Sequence, residues 1–271
     1  MIKMLVIDLD ETLLHNDKTI SQFSEEVLQK ASMEGIKIVF ATARPIRATR
    51  DFQKQISCDA VICHNGTLTL VDGKLIGNHQ GIPMNEAIQI LNTMQNKYPD
   101  KKLSIEINDK IYANFDTSLI WGKSENDREM LRRSTVYSNF SDLPDFIADK
   151  VLIEINSENE YQEILANIST NLYAQLSDGG KLCLVMNKSA TKFNAIAQLA
   201  ELWSIPISQI AAFGDDYNDI EMLLNCGVGI AMGNAIIEVL EAADAVTDTN
   251  NEDGVAKYIM NSILCQNPNI N

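Results

Sequence analysis

Three short stretches of this 271-residue chain carry residues that could do chemistry: Asp8-Leu9-Asp10-Glu11-Thr12, Thr42-Ala43-Arg44, and Gly214-Asp215-Asp216-Tyr217-Asn218-Asp219. Taken one at a time they read as ordinary structure. An Asp-x-Asp after a strand serves as a cap or a solvated turn, Thr42 can cap a helix, and Arg44 can be a solvated first-turn residue. Their weight comes from position, because each follows an apolar run in one alternating pattern. Brought together in a single cleft, the carboxylates repel one another unless a cation shares the site, and hard oxygen donors of this kind suit Mg²⁺.

The elements that must position them can be read from periodicity. Residues 2–9 form a short apolar run rich in β-branched side chains, as expected for a strand buried on both faces. Residues 21–35 read as a helix, with Ser21 at its start, apolar positions at helical spacing and Gly35 at its stop. Strands follow at 37–41 and 60–63, with a helix over 45–56 between them. The alternation resumes later: helix 191–203, strand 210–213, helix 219–224, strand 228–231, helix 235–242 and helix 254–264.

Such alternation predicts an α/β fold, a doubly wound and mostly parallel sheet of Rossmann-like type, whose ligands bind beyond the carboxyl ends of the strands. The sheet is expected to be split in sequence, with a core formed by residues 1–81 and 188–271. Residues 82–187 read as an inserted α+β domain, with hairpin-like strands joined at Asp109-Lys110 and Asp178-Gly179-Gly180. Within it, residues 118–144 show little pattern beyond a charged helix at 125–133.

Composition narrows the partners. The chain has 22 Lys+Arg against 37 Asp+Glu, a net charge of −15, so neither nucleic acid nor an anionic membrane surface is an expected partner. Apolar runs are too short for a membrane span and no signal segment is evident. Five cysteines in apolar contexts, without CxxC pairing, fit reduced core thiols and a cytoplasmic location. Cys63 beside His64 is better read as core than as a nucleophile. Gly227-x-Gly229-x-x-x-Gly233 has one residue too many for a dinucleotide loop, and His15, His64 and His79 lack ligand spacing. The polar tail 266–271 is expected to fray.

Together the motifs resemble the haloacid dehalogenase-like (HAD) phosphohydrolases, and within them the Cof-type sugar-phosphate phosphatases with a large α/β cap. The resemblance rests on residues 8–14 (DLDETLL), 41–44 (ATAR) and 214–223 (GDDYNDIEML), with further similarity at 64–66, 229–235 and 251–256. It spans both halves of the core, whereas the cap is matched by position and size. The family usually has glycine where Glu11 and Ala43 stand here.

The resemblance implies a Mg²⁺-dependent phosphatase for small phosphorylated metabolites, with the inserted domain closing over the core. Asp8 would be the nucleophile and Asp10 the general acid and base, its pKa lifted toward neutrality. The Asp8 carboxylate, the Asp10 backbone carbonyl and Asp215 would hold the metal, and Asp219 would support it from outside or orient a lysine. Thr42, Ala43, Arg44, Asn218 and a lysine after the cap would bind phosphate. Lys188 and Lys192 both qualify for that lysine, and the family register favours Lys192. A non-catalytic sugar-phosphate or nucleotide sensor and a phosphomutase are the alternative readings.

Overall fold

The Met4–Ile7 strand shows why this sequence makes a two-faced sheet. Leu5 and Ile7 join a core with Leu28, Phe40, Phe213 and Ile259, while Met4 and Val6 join a second core with Val39, Ile196, Leu199 and Ala212. Successive side chains of a strand point to opposite faces, so an unbroken apolar run demands cover on both sides. The structure is a computed structural model that describes residues 1–76, 80–122, 124–140, 142–144, 146–177 and 179–265. His79, Asp178 and the tail 266–271, all named above, lie outside them.

Among the described residues the chain forms two compact units, Met1–Asn78 with Thr191–Asn271, and His79–Ala190. In the first, an eight-stranded sheet runs in the order Ala245–Val246, Val228–Ala231, Ile210–Gly214, Met4–Ile7, Lys37–Ala41, Ala60–Cys63, Leu68–Val71, Lys74–Leu75. The first six strands pair in parallel and the last two add an antiparallel edge. That edge hairpin was absent from the sequence reading, although Asp72-Gly73, with φ of 50° and 72°, is a two-residue turn signal between apolar runs.

Several predicted elements meet their local chemistry. The Gln22–Met33 helix is capped by Ser21, whose hydroxyl accepts the Ser24 N–H at 3.0 Å, and Gly35 follows at φ 78°. The helix expected over 45–56 is instead a turn at Ile46–Ala48 followed by a helix at Arg50–Gln55.

The second unit carries a six-stranded sheet, in the order Leu172–Ser177, Leu182–Asn187, Lys150–Glu154, Leu103–Ile107, Lys110–Ala113, Thr135–Tyr137. The last pair is parallel and the rest antiparallel. On the Met84–Lys97 helix, Ala87, Ile90, Leu91 and Met94 make the apolar stripe that packs with Leu103, Ile105 and Ile153. The charged helix runs Glu125–Ser134, started by a reciprocal cap between Ser124 and Asp127.

The junctions fall three residues outside those expected. Gly81 accepts from Asn187 Nδ2 at 2.8 Å and Ile82 bridges Ala148, while Lys188 N–H donates to Asn171, so both 80–81 and 188–190 go with the second unit. No helix among the described residues is long and apolar enough to cross a membrane.

Candidate active site

Asp8 leaves the Met4–Ile7 strand at its carboxyl end, and Asp215 and Asp219 follow the neighbouring Ile210–Gly214 strand, paired Ile7 to Phe213. Adjacent parallel strands thus bring Asp8 and Asp215, 207 positions apart in sequence, to one edge. Lys192, the first residue of the Lys192–Leu202 helix, reaches the same point: Nζ donates to Asp8 Oδ1 and to Asp219 Oδ1, each at 2.6 Å. An ammonium at a helix N-terminus, 1% exposed, opposes both the helix dipole and burial. Burial works against its charge, yet Asp219 and Asp8 outweigh burial and hold its pKa above the ordinary value.

Two glycines permit this packing. A Cβ at Gly66, φ 110°, would stand 2.1 Å from the Thr191 carbonyl oxygen, so glycine lets the start of the lysine helix come close. A Cβ at Gly214 would lie 2.4 Å from the Asp219 side chain, which tucks back over the loop. There Asp219 Oδ2 accepts the N–H of Asp215 at 3.0 Å and of Asp216 at 3.2 Å. Asp219 is therefore consumed in holding the loop and Lys192.

The acidic cluster suits a divalent cation, with Asp8 and Asp215 as the carboxylates left over to hold it. Asp8, Asp215 and Asp219 offer oxygens all within 4.8 Å of one another. Asp215 Oδ1 accepts the Thr12 hydroxyl at 2.7 Å, a partner that the sequence reading did not single out. Among the described residues Asp8 Oδ2 and Asp215 Oδ2 make no hydrogen bond. Burial first, then repulsion from Asp219 and Asp216, pushes Asp215 up to about 7 against the opposing Thr12 bond and Lys192 charge. Burial likewise raises Asp8 well above the carboxylate range despite Lys192, with Asp219 and Asp215 adding to it. Two carboxylates reluctant to ionise side by side are a site short of positive charge, and a hard cation would supply it.

Comparison with known proteins agrees with this geometry. The family profile described as haloacid dehalogenase-like hydrolase matches residues 5–259. The chain belongs to that family. It is 30% identical over 270 residues to 5-amino-6-(5-phospho-D-ribitylamino)uracil phosphatase YcsE of Bacillus subtilis, covering 97% of this chain and 96% of the relative. Phosphatase YwpJ of the same species is 29% identical over 291 residues, 97% and 100% of the two chains. Among solved structures, TM0651 of Thermotoga maritima matches with TM-score 0.81 at 28% identity over 96% of this chain and 97% of its own. The HAD subclass IIB sugar phosphatase BT4131 matches with TM-score 0.74 at 26% identity over 95% and 98%. The enzyme is a phosphatase of the HAD-like hydrolases.

In this phosphatase Asp10 departs from expectation. Arg44 forks onto it, Nε to Oδ2 at 2.6 Å and Nη2 to Oδ1 at 2.7 Å, and Lys18 Nζ stands 3.2 Å from Oδ1. Burial alone would raise its pKa, but the Arg44 bonds and charge, with Lys18, hold it below the ordinary value. The lifted pKa expected for Asp10 is overturned in this arrangement. Such a fork couples positions 34 apart, and no local pattern announces it.

The remaining candidates are placed as follows. Thr42 is buried, and its Oγ1 accepts the Arg44 N–H at 3.1 Å, leaving the hydroxyl hydrogen to donate elsewhere. Ala43 is exposed and its N–H has no acceptor among the described residues. Asn218 Nδ2 donates to Asn65 Oδ1 at 2.9 Å. Lys188 is exposed and belongs to the second unit. No disulfide is formed among the described residues, and burial pushes the Cys58, Cys183 and Cys226 thiols up to about 12, so these three are inert packing groups.

Proposed function

We propose that this phosphatase hydrolyses small phosphate monoesters, sugar phosphates above all, with Mg²⁺ and with the phosphoryl group carried transiently on Asp8. The observation that carries the reading is the buried Lys192 ammonium 2.6 Å from Asp8 Oδ1, which fixes one carboxylate oxygen and leaves Oδ2 as the attacking atom. Held by the Asp8 and Asp215 carboxylates and the Asp10 backbone carbonyl, Mg²⁺ would neutralise charge on the phosphoryl group.

Asp8 Oδ2 displaces the alcohol from phosphorus, which splits one hard displacement into two easier ones. Asp10 gives a proton to the departing alkoxide, then takes one from the water that displaces phosphate from Asp8. Lys192, with two of its three hydrogens engaged by Asp8 and Asp219, keeps a third for a nonbridging oxygen. The Thr42 hydroxyl, the Ala43 N–H and Asn218 complete the cradle. Asp10 must be protonated for the first step, so the Arg44 fork must loosen, and an incoming phosphate dianion competing for the guanidinium does this.

The relatives narrow the substrate. One is named for a phosphoribitylamino compound and one is called a sugar phosphatase. Both names describe phosphate on a polyhydroxylated chain, which makes that class the first choice for this enzyme. The test is release of free phosphate, scored against isomerised ester, across hexose, pentose and polyol phosphates with Mg²⁺ varied. Asp8→Asn is expected to lower turnover by about 10⁴-fold or more with an unchanged circular dichroism spectrum. Turnover surviving in that variant would refute the scheme.

A further inference from the structure

The loop that carries Asp10 is held in an uncommon shape. Asp10 has ψ 130° and Glu11 has φ 58°, ψ 8°, so a residue with a full side chain occupies the left-handed region in the middle of the turn at Leu9–Leu13. An L-residue in that conformation costs about 1 kcal/mol or more, and it persists where surrounding contacts impose it. Lys18 Nζ holds the Glu11 side chain at 2.8 Å, while the backbone of the turn is held by two asparagines far along the chain. Asn234 Nδ2 donates to the Glu11 carbonyl at 2.8 Å, and Asn234 Oδ1 accepts the Asn250 N–H at 2.9 Å. The Asn250 side chain, 3% exposed, donates to the Leu14 carbonyl at 2.9 Å and to Asn16 Oδ1 at 3.0 Å. The turn is pinned at Glu11 and again at Leu14 by one relay.

We propose that Asn234, itself held by Asn250, is a positioning residue for Asp10: it fixes the Glu11 peptide and thereby the direction in which the Asp10 carboxyl is presented. This rests on the proton-transfer role given to Asp10 above. The relay touches neither the Asp8 carboxylate nor Lys192, whose geometry comes from a strand end and a helix start. Its loss therefore disturbs proton delivery while leaving nucleophile and ammonium in place.

Two variants separate the links. Asn234→Asp keeps an oxygen for the Asn250 N–H but has no hydrogen to give Glu11, whereas Asn234→Ala loses both bonds. Asn234 is exposed, so both variants are expected to fold, checked by a urea midpoint close to that of the parent. The measurement is kcat/KM for an alkyl phosphate such as a hexose 6-phosphate and for an aryl phosphate, since kcat/KM reads only through formation of the phospho-Asp8 step. An alkoxide needs a proton to leave and a nitrophenolate does not. Both variants should lose about tenfold or more on the alkyl ester and less than about threefold on the aryl ester. Unchanged kcat/KM in Asn234→Asp, or an equal loss on both esters, overturns the proposal. Asp10→Asn run in parallel distinguishes the two failures. If Asp10→Asn is selective for the alkyl ester and the Asn234 variants are not, the positioning role alone falls. If Asp10→Asn is also unselective, the role of Asp10 as acid falls and takes the positioning role with it.

Discussion

Two ion clusters meet at the carboxyl edge of the sheet, and they are built in opposite ways. Lys192, Asp8 and Asp219 are sealed, with side chains 1%, 8% and 1% exposed. Arg44, Asp10 and Lys18 lie open, at 24%, 39% and 44%. A sealed cluster is costly to desolvate and costly to disturb, so its geometry is set before substrate arrives. An open one is screened by water, so its partners exchange at little cost. The division suits the two tasks proposed for Asp8 and Asp10, since a nucleophile must be held still and an acid–base group must change its protonation and its partner.

The sharpest way to break this contrast is Lys192→Met. Removing the ammonium leaves Asp8 and Asp219 buried without a counter-charge, for which the expected penalty in the metal-free protein is about 3–5 kcal/mol. Turnover should fall about 10³-fold, as for loss of a donor aimed at the reacting oxygens. Urea unfolding and phosphate release measure the two effects. A stable variant with near-normal turnover would mean that the sealed cluster is ordinary packing.

How much of this was legible in the sequence depends on the range of the interaction. The doubly wound sheet followed from apolar runs such as residues 37–41 and 60–63, which match the observed strands Lys37–Ala41 and Ala60–Cys63 residue for residue. Their acidic ends could be seen because strand ends meet at one edge of any parallel sheet. Lys192 against Lys188 was not decided by pattern, since the two lie four apart at the same junction, and only the family register favoured the former. The Arg44 fork on Asp10, the Thr12 bond to Asp215 and the Asn234 relay join positions 34, 203 and 223 apart. Side-chain reach across such separations leaves no local periodicity to read.

Asp215→Asn tests the shortage of positive charge. Asp215 has its folded pKa raised from 3.8 to about 7, so the fold favours its protonated form. Stability from that group is full below the unfolded pKa and is lost as pH rises through about 4 to 7. Without metal, the asparagine variant should therefore gain stability over the parent as pH goes from 4.5 to 8. Mg²⁺ reverses the sign in the parent, because it favours the ionised pair, and its stabilising shift in Tm should grow over the same interval. A Mg²⁺ shift of equal size at both pH values would count against Asp8 and Asp215 as its holders.

Arg44→Met acts on the open cluster. Without the fork, burial is opposed only by Lys18 and the Asp10 pKa rises. The base form that accepts a proton from water then requires higher pH, so the acid limb of the kcat profile should move upward. Turnover at neutral pH should fall about 10-fold to 100-fold, from lost phosphate contact and from this shift. An unmoved acid limb would mean that Asp10 does not titrate in that step.

Lys18→Met should have the smallest effect, and that is what makes it informative. Lys18 bonds Glu11 Oε1 at 2.8 Å and stands 3.2 Å from Asp10, with nearly half of its side chain exposed. Exposed pairs contribute about 0–1 kcal/mol, and salt screens them. Stability should change by less than about 1 kcal/mol, and the loss should shrink further in ~0.5 M salt. Because Arg44 alone still forks Asp10, the acid limb should move by less than in Arg44→Met. If Lys18→Met instead cost as much as Lys192→Met, exposure would be a poor guide to what a charge contributes here, and the division between a sealed and an open cluster would not hold.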